Sequence, residues 1–259
     1  MPRRRTRFDS VVIVDWSARS TPAPARPYRD DIWLSLHTRG PRPHLTEYCR
    51  TAEQAEAMLR ELLVTAPGRV LAGFDFSFAY PAWALRRLGG WRALWSRLAT
   101  APVHANRFAV AARINEVLGG PYLWGAPRGI HDVPVRKASW TLPQYRACEL
   151  FLRPRPQSSF KLFTAGSVGS QMLTGIPVLE RLRRVFAPRV AVWPFEPWRE
   201  ADIVLAEVYP SLLGKPPAGV IPDEWQVETL AAHYLRRGAW LERELPTCSE
   251  EEGWILDLE

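Results

Sequence analysis

Apolar positions along this chain follow two periods. The stretches at 10–14 (SVVIV), 69–74 (RVLAGF) and 202–208 (DIVLAEV) are short, largely unbroken runs of β-branched and aliphatic residues. That is the pattern of buried or half-buried strands. "DDIWLSLHTRG" instead alternates and stops at Gly40, and "PHLTEYCR" follows it as a further strand of a hairpin or meander. "TAEQAEAMLRELLVTAPGR" then changes to the helical period, with Ala55, Met58, Leu59, Leu62 and Leu63 on one face. Thr51 is placed to cap this helix, Gln54 completes a capping box, and Pro67-Gly68 ends it.

The order is therefore strand, strand, strand, helix, strand. The first three strands are too close in sequence for crossover helices, so they are expected to be antiparallel neighbours. The helix then returns the chain to a fourth strand, parallel to the first. Such a mixed sheet opens the ribonuclease H-like fold, and also each half of the actin-like kinases. Residues 80–200 are less regular. "PAWALRRLGGWRALWSRLAT" predicts one or two helices broken at Gly89-Gly90, and "LPQYRACELFLR" a short helix stopped by Pro154 and Pro156. "SVGSQMLTGIPVLERLRRVF" predicts a helical stretch interrupted between Gly175 and Pro177. "PDEWQVETLAAHYLRRGAW" is a late helix with Val227, Leu230, Ala231 and Tyr234 on its apolar face and Gly238 at its end. The expected fold is an α/β ribonuclease H-like domain over residues 9–259: three antiparallel strands, then parallel strands, flanked by helices. A largely helical insertion occupies about 80–200, and a basic arm, residues 1–8, precedes the domain.

Composition narrows the function classes. With 259 residues and 47% hydrophobic content, the chain can bury a substantial core. No apolar run reaches the roughly 18 to 20 residues a bilayer span needs, so no membrane partner is expected. "MPRRRTRFDS" has charge but no apolar segment of a secretory signal, which makes the cytoplasm the expected compartment. Cys49, Cys148 and Cys248 are far apart, which argues against a disulfide framework and a zinc site. The five histidines form no H-E-x-x-H pattern. The net charge of +7 rests on arginine, with Lys137, Lys161 and Lys215 the only lysines. A basic surface favours an anionic partner, nucleic acid or nucleotide.

The chemistry lies in an echo. "VVIVDWS" and "AGFDFS" each end an apolar run in Asp, an aromatic residue and Ser, giving Asp15 and Asp75. A carboxylate beside a buried strand is costly unless a cation, a hydrogen-bond network or water compensates it. On neighbouring parallel strands the two would stand about 5 Å apart. Repulsion would then raise one pKa unless a divalent metal holds both ionised. Glu207 in "DIVLAEV" and Glu228 on the late helix complete a candidate quartet, with Asp223 a competing fourth ligand. Oxygen-only ligands suit Mg²⁺ or Mn²⁺. Asp-x-Ser after a strand is also an ordinary turn, Asp223 and Glu224 suit any helix N-terminus, and Glu228 suits a solvated face. "TAGSVGSQ" offers backbone N–H groups to a phosphate, although it lacks G-K-[ST]. Most of the tryptophans read as core or interface fillers, with base stacking as the sharper alternative.

These segments resemble the domain of unknown function 429 family, whose members are thought to be nucleases of ribonuclease H-like fold. The resemblance rests on "VIVDWS", "FDFSFAYP", "YRACE", "FKLFTAGSVGSQ", "VWPFE", "AEVYPSLL", "DEWQVETLAAHYL" and "EEGWILDL", in that order. It implies a metal-binding set of Asp15, Asp75, Glu207 and an acid on the late helix. That helix commonly carries Asp followed by Ala-Leu in the family, where this chain has Glu228-Thr229-Leu230. The expected activity is hydrolysis of phosphodiester bonds in nucleic acid by two metal ions, Asp15 bridging both. Ser17 and Ser77 would orient water or phosphate, and Arg146 and Lys161 would hold substrate phosphate, although Arg146 and Glu149 also suit an i,i+3 structural pair. Two alternatives remain: a non-catalytic module binding nucleic acid or protein, and a small-molecule phosphohydrolase or phosphotransferase of actin-like type. Against the latter, one sheet-forming half is apparent, and no glycine-rich loop follows the second Asp.

Overall fold

Six strands form one mixed sheet in the order β3-β2-β1-β4-β6-β5. They are β1 Ser10–Asp15, β2 Ile32–Thr38, β3 Leu45–Cys49, β4 Val70–Phe74, β5 Val190–Val192 and β6 Ile203–Glu207. The first three pair antiparallel, while β4 joins β1, and β6 joins β4 and β5, in parallel. This computed structural model describes residues 6–41, 43–153, 155–164, 167–242 and 244–258. Among them are the helices α1 Ala52–Thr65, α2 Ala82–Leu88, α3 Trp91–Thr100, α4 Val103–Leu118, α5 Val168–Val185, α6 Pro222–Arg237 and α7 Ser249–Glu252. No helix among the described residues is long and apolar enough to cross a membrane.

The chain forms two compact units. The first takes the residues up to Phe76 with Leu182–Leu245 and Ile255–Asp257, and contains the whole sheet. β1, β4 and β6 are buried at every position, as their unbroken apolar runs require. α6 lies across β1, β2 and β3. The Thr51 hydroxyl accepts the Gln54 N–H at 3.1 Å and so starts α1. The Gln54 side chain returns to the Arg50 N–H at 2.9 Å, one residue earlier than a capping box prescribes. Of the expected basic arm, residues 1–5 lie outside the described residues. Thr6 bridges Ala239, and Phe8 is buried.

The second unit comprises Ser77–Arg181 with Pro246–Trp254 and Leu258. Gly89 and Gly90, both at positive φ, separate α2 from α3, as the sequence predicts. Two local expectations need correction. α5 is unbroken through Pro177, because Met172, Leu173, Ile176 and Leu179 bury a continuous apolar face around it. The helix expected before Pro154 shrinks to one 3-10 turn, Cys148–Leu150, because Arg146 and Glu149 are drawn into a buried polar network. α4 was not foreseen; Asn106 breaks its regular φ/ψ, and its side chain accepts the Ala109 N–H at 3.0 Å.

Candidate functional site

Register decides which acids meet. Val14 is level with Phe74, and the Asp75 N–H donates to the Val14 carbonyl at 3.2 Å. The ladder thus continues one step past β4 and brings Asp75 beside Asp15. Phe74 is in turn level with Glu207, so Val208 stands beside Asp75. A Cβ added at Gly73 would lie 2.7 Å from both Ile13 Cδ1 and Val208 Cγ1, which puts Ile13, Gly73 and Val208 on one face. Asp15 and Asp75 continue that face two residues on, whereas Glu207 leaves from the other. Glu207 is 4% exposed, and its carbonyl accepts the Leu256 N–H at 2.8 Å. It does not join the pair.

α6 covers the Asp15 face, because Ile13 pairs with Ser35, Ser35 with Thr46, and the Thr46 hydroxyl donates to Glu228 at 2.8 Å. That bond holds Glu228 over the edge strand β3, on an exposed stretch of the helix. Asp223, in the first turn of α6, is the acid whose charge reaches both Asp15 and Asp75. It accepts the Asp30 N–H at 2.5 Å. Asp30 has φ of +63°, a left-handed conformation that Asp tolerates better than most residues. The Ser17 hydroxyl donates to the Asp30 carbonyl at 3.0 Å and so belongs to the same loop. Next to it, buried Asp31 accepts from Arg19 Nε at 2.7 Å and from the Tyr48 hydroxyl at 3.0 Å.

The electrostatics follow from this crowding. Burial, then the charge of Asp75 and of Asp223, holds the Asp15 carboxyl well above the usual carboxylate range. Burial also raises Asp75, to about 7, against the lowering effect of hydrogen bonds from Asp15 and from the Trp16 N–H at 2.8 Å. The two carboxyls hydrogen-bond to each other, and crowding and burial favour a protonated form of the pair. Asp223 is raised by burial and by Asp30 and Asp31, while the Asp30 N–H and Arg29 oppose the shift.

The remaining expected site residues lie in the second unit. Arg146 is fully buried: Nε donates to Glu149 at 3.0 Å, and the other guanidinium nitrogens to the Ser77 hydroxyl and the Glu252 carbonyl at 3.2 Å each. Ser77 in turn donates to Glu149 at 3.3 Å. These groups form an internal polar network, the structural pair that the i,i+3 spacing allowed. Lys161 Nζ donates to Gln157 at 3.1 Å. Of the glycine-containing stretch, residues 165 and 166 lie outside the described residues. The Gly169 N–H is taken by the Lys161 carbonyl at 3.1 Å.

Among the described residues, no group of three or more His, Cys, Asp or Glu side chains is arranged as a metal cluster. The donor chemistry nonetheless suits a hard cation, since Mg²⁺ sites use one or two carboxylates and leave other positions to water and phosphate. Asp15 and Asp75 supply two such groups, with Asp223 close enough to add charge. Asp30 and Asp31 escaped the sequence reading. The signal was available: β2 runs antiparallel to β1, so "RDD" at its start must lie near the end of β1. Comparison with protein families, with curated proteins and with solved structures gave no match.

Proposed function

We propose that this chain is a divalent-cation-dependent phosphodiesterase acting on nucleic acid, on a ribonuclease H-like sheet of the kind its sequence resembles. The observation that carries the reading is the Asp15–Asp75 pair, Asp15 buried and Asp75 half-buried, at the ends of adjacent parallel strands with Asp223 on the same face. A protein that gains nothing from such a pair does better with two apolar residues there. Mg²⁺ or Mn²⁺ would be held by Asp15 and Asp75, with Asp223 reaching from α6. The cation would acidify a water and offset the charge of a phosphate.

The chain's own residues account for the rest. The Trp16 N–H fixes one oxygen of the Asp75 carboxylate, which is therefore preset rather than recruited. The Asp30 N–H and the Ser17 hydroxyl hold the loop that positions Asp223.

The test is hydrolysis of single-stranded, duplex and hybrid substrates with Mg²⁺ or Mn²⁺, comparing wild type with Asp15→Asn. The reading expects cation-dependent cleavage that Asp15→Asn removes. Equal residual activity in the two proteins would overturn it.

A further inference from the structure

In the second unit, aromatic rings gather on Phe160. Tyr80 stacks on it with centroids 4.9 Å apart, and Trp83 lies nearly parallel at 5.8 Å. Tyr122 meets Trp83 at 4.7 Å, and Trp140 meets Tyr122 at 5.5 Å, both edge to face. Trp124 joins through its backbone, its N–H donating to the Phe160 carbonyl at 3.0 Å. Tyr80 and Phe160 are buried, but the other four keep part of their surface open.

Buried donors in this nest have no hydrogen-bond partner among the described residues: the Tyr80 hydroxyl, the Nε1 atoms of Trp124 and Trp140, and the hydroxyl of Ser159, the residue before Phe160. Tyr80 and Ser159 are both 0% exposed. An unpaired buried donor is costly, so folded proteins keep very few. Other indoles of the same unit are paired, Trp83 with the Pro143 carbonyl at 2.6 Å and Trp95 with the Phe78 carbonyl at 2.8 Å. Burial pushes the Tyr80 phenol up, so it stays a neutral donor.

Cations stand over the same rings. Arg87 lies 5.3 Å from the Trp83 centroid, Lys137 Nζ 4.8 Å from Trp140, and Lys161 Nζ 5.8 Å from Trp124. Segment Ser77–Arg181 carries fourteen Arg and Lys against four Asp and Glu, so the chain's positive excess is concentrated here.

We propose that this aromatic and cationic surface of the second unit binds single-stranded nucleic acid. Bases stack on the half-exposed rings of Trp83, Tyr122, Trp124 and Trp140, and Arg87, Lys137 and Lys161 meet the phosphates. A duplex hides the base faces that such rings use. A peptide would match the rings but leave the cations unanswered. The inference concerns binding and does not depend on the chemistry proposed for the carboxylates.

The test measures fluorescence anisotropy of a labelled single-stranded oligonucleotide of about 12 residues, within the range such surfaces cover. It uses the full chain in EDTA, where cation-dependent hydrolysis plays no part and its failure is separable from this one. The expected result is binding at least about tenfold tighter than to the same-length duplex. Trp140→Ala weakens it about tenfold, the scale of one stacked base. Lys137→Ala, at an exposed position, lowers the slope of log K against log salt by roughly one contact. Circular dichroism checks that Trp140→Ala folds, and Lys137→Glu is the second variant should it not. Equal affinity for duplex and single strand, wild-type affinity in both substituted proteins, or full competition by an equimolar mononucleotide each overturns the proposal.

Discussion

Asp15 and Asp75 close two parallel strands side by side, and one carboxyl hydrogen-bonds to the other. Without a cation this arrangement costs stability. Both carboxyls have folded pKa values raised above the ordinary 3.8, so the folded state holds protons that the unfolded chain releases. Their contribution is intact below about pH 4 and is lost as pH rises, for Asp75 through about 7. Asp15→Asn replaces the protonated carboxyl with an amide donor of the same shape. In chelator it should be about 1 kcal/mol more stable than wild type at pH 8, the scale of relieved active-site strain, and gain almost nothing at pH 4. Urea unfolding at the two pH values checks this; a gain independent of pH would count against it.

His37 has the opposite sign. It is 9% exposed and stacks on His44 at 3.9 Å. Burial, then the neighbouring His44 and Arg236, lowers its pKa to about 4, against the raising effect of Glu228. A base depressed on folding stays neutral while the unfolded chain takes up a proton, so its stabilising contribution is full above 6.5 and is lost as pH falls towards 4. The His37 imidazole resonance should show no titration between pH 8 and 5.5. His37→Gln should flatten the acid limb of the stability profile in that window. A midpoint near 6.5 would refute the assignment.

In the second unit, Arg146 and Glu149 are buried together, with Ser77 and the Glu252 carbonyl completing the hydrogen bonds. Removing one partner strands a buried charge. Arg146→Met should cost about 3–5 kcal/mol, and Arg146→Met with Glu149→Met should recover most of that loss. A double-mutant cycle in urea measures the coupling. Additive losses would mean that the two side chains act independently.

How far the residues foretold the structure depends on what each prediction needed. Strand runs such as SVVIV and the Thr51-capped helix need only local periodicity, and both occur within a residue or two of their expected bounds. The adjacency of Asp15 and Asp75 needed topology as well, which the spacing of three strands before one helix supplied. Glu207 needed register to a single residue, and a period of two turns an error of one position into the opposite face. Glu228 and Asp223 differ by five residues on one helix, about 7.5 Å of rise. Which of them reaches β1 is decided by the Thr46–Glu228 bond, a contact between elements far apart in sequence. Ser77 carries no local mark of burial, since its partners Arg146 and Glu149 lie far along the chain, and the Glu252 carbonyl that Arg146 meets lies further still.

That distinction separates the three remaining acids by experiment. Asp223 raises Asp15 and Asp75 electrostatically, so Asp223→Asn removes negative charge from the place a cation would occupy. It should reduce the thermal stabilisation given by Mn²⁺ and weaken apparent Mn²⁺ affinity at least about tenfold, the scale for groups that support a metal site. Glu228→Gln keeps an acceptor oxygen for the Thr46 hydroxyl and should leave Mn²⁺ affinity unchanged, with stability altered by about 0.5 kcal/mol or less. Glu207→Gln, on the opposite face, should change stability without changing the Mn²⁺ response. Isothermal titration and melting curves on the three proteins decide the matter. If Glu228→Gln weakens Mn²⁺ as much as Asp223→Asn does, the cation lies further along α6 than the strand-end pair, and Asp15 and Asp75 lose their assigned role.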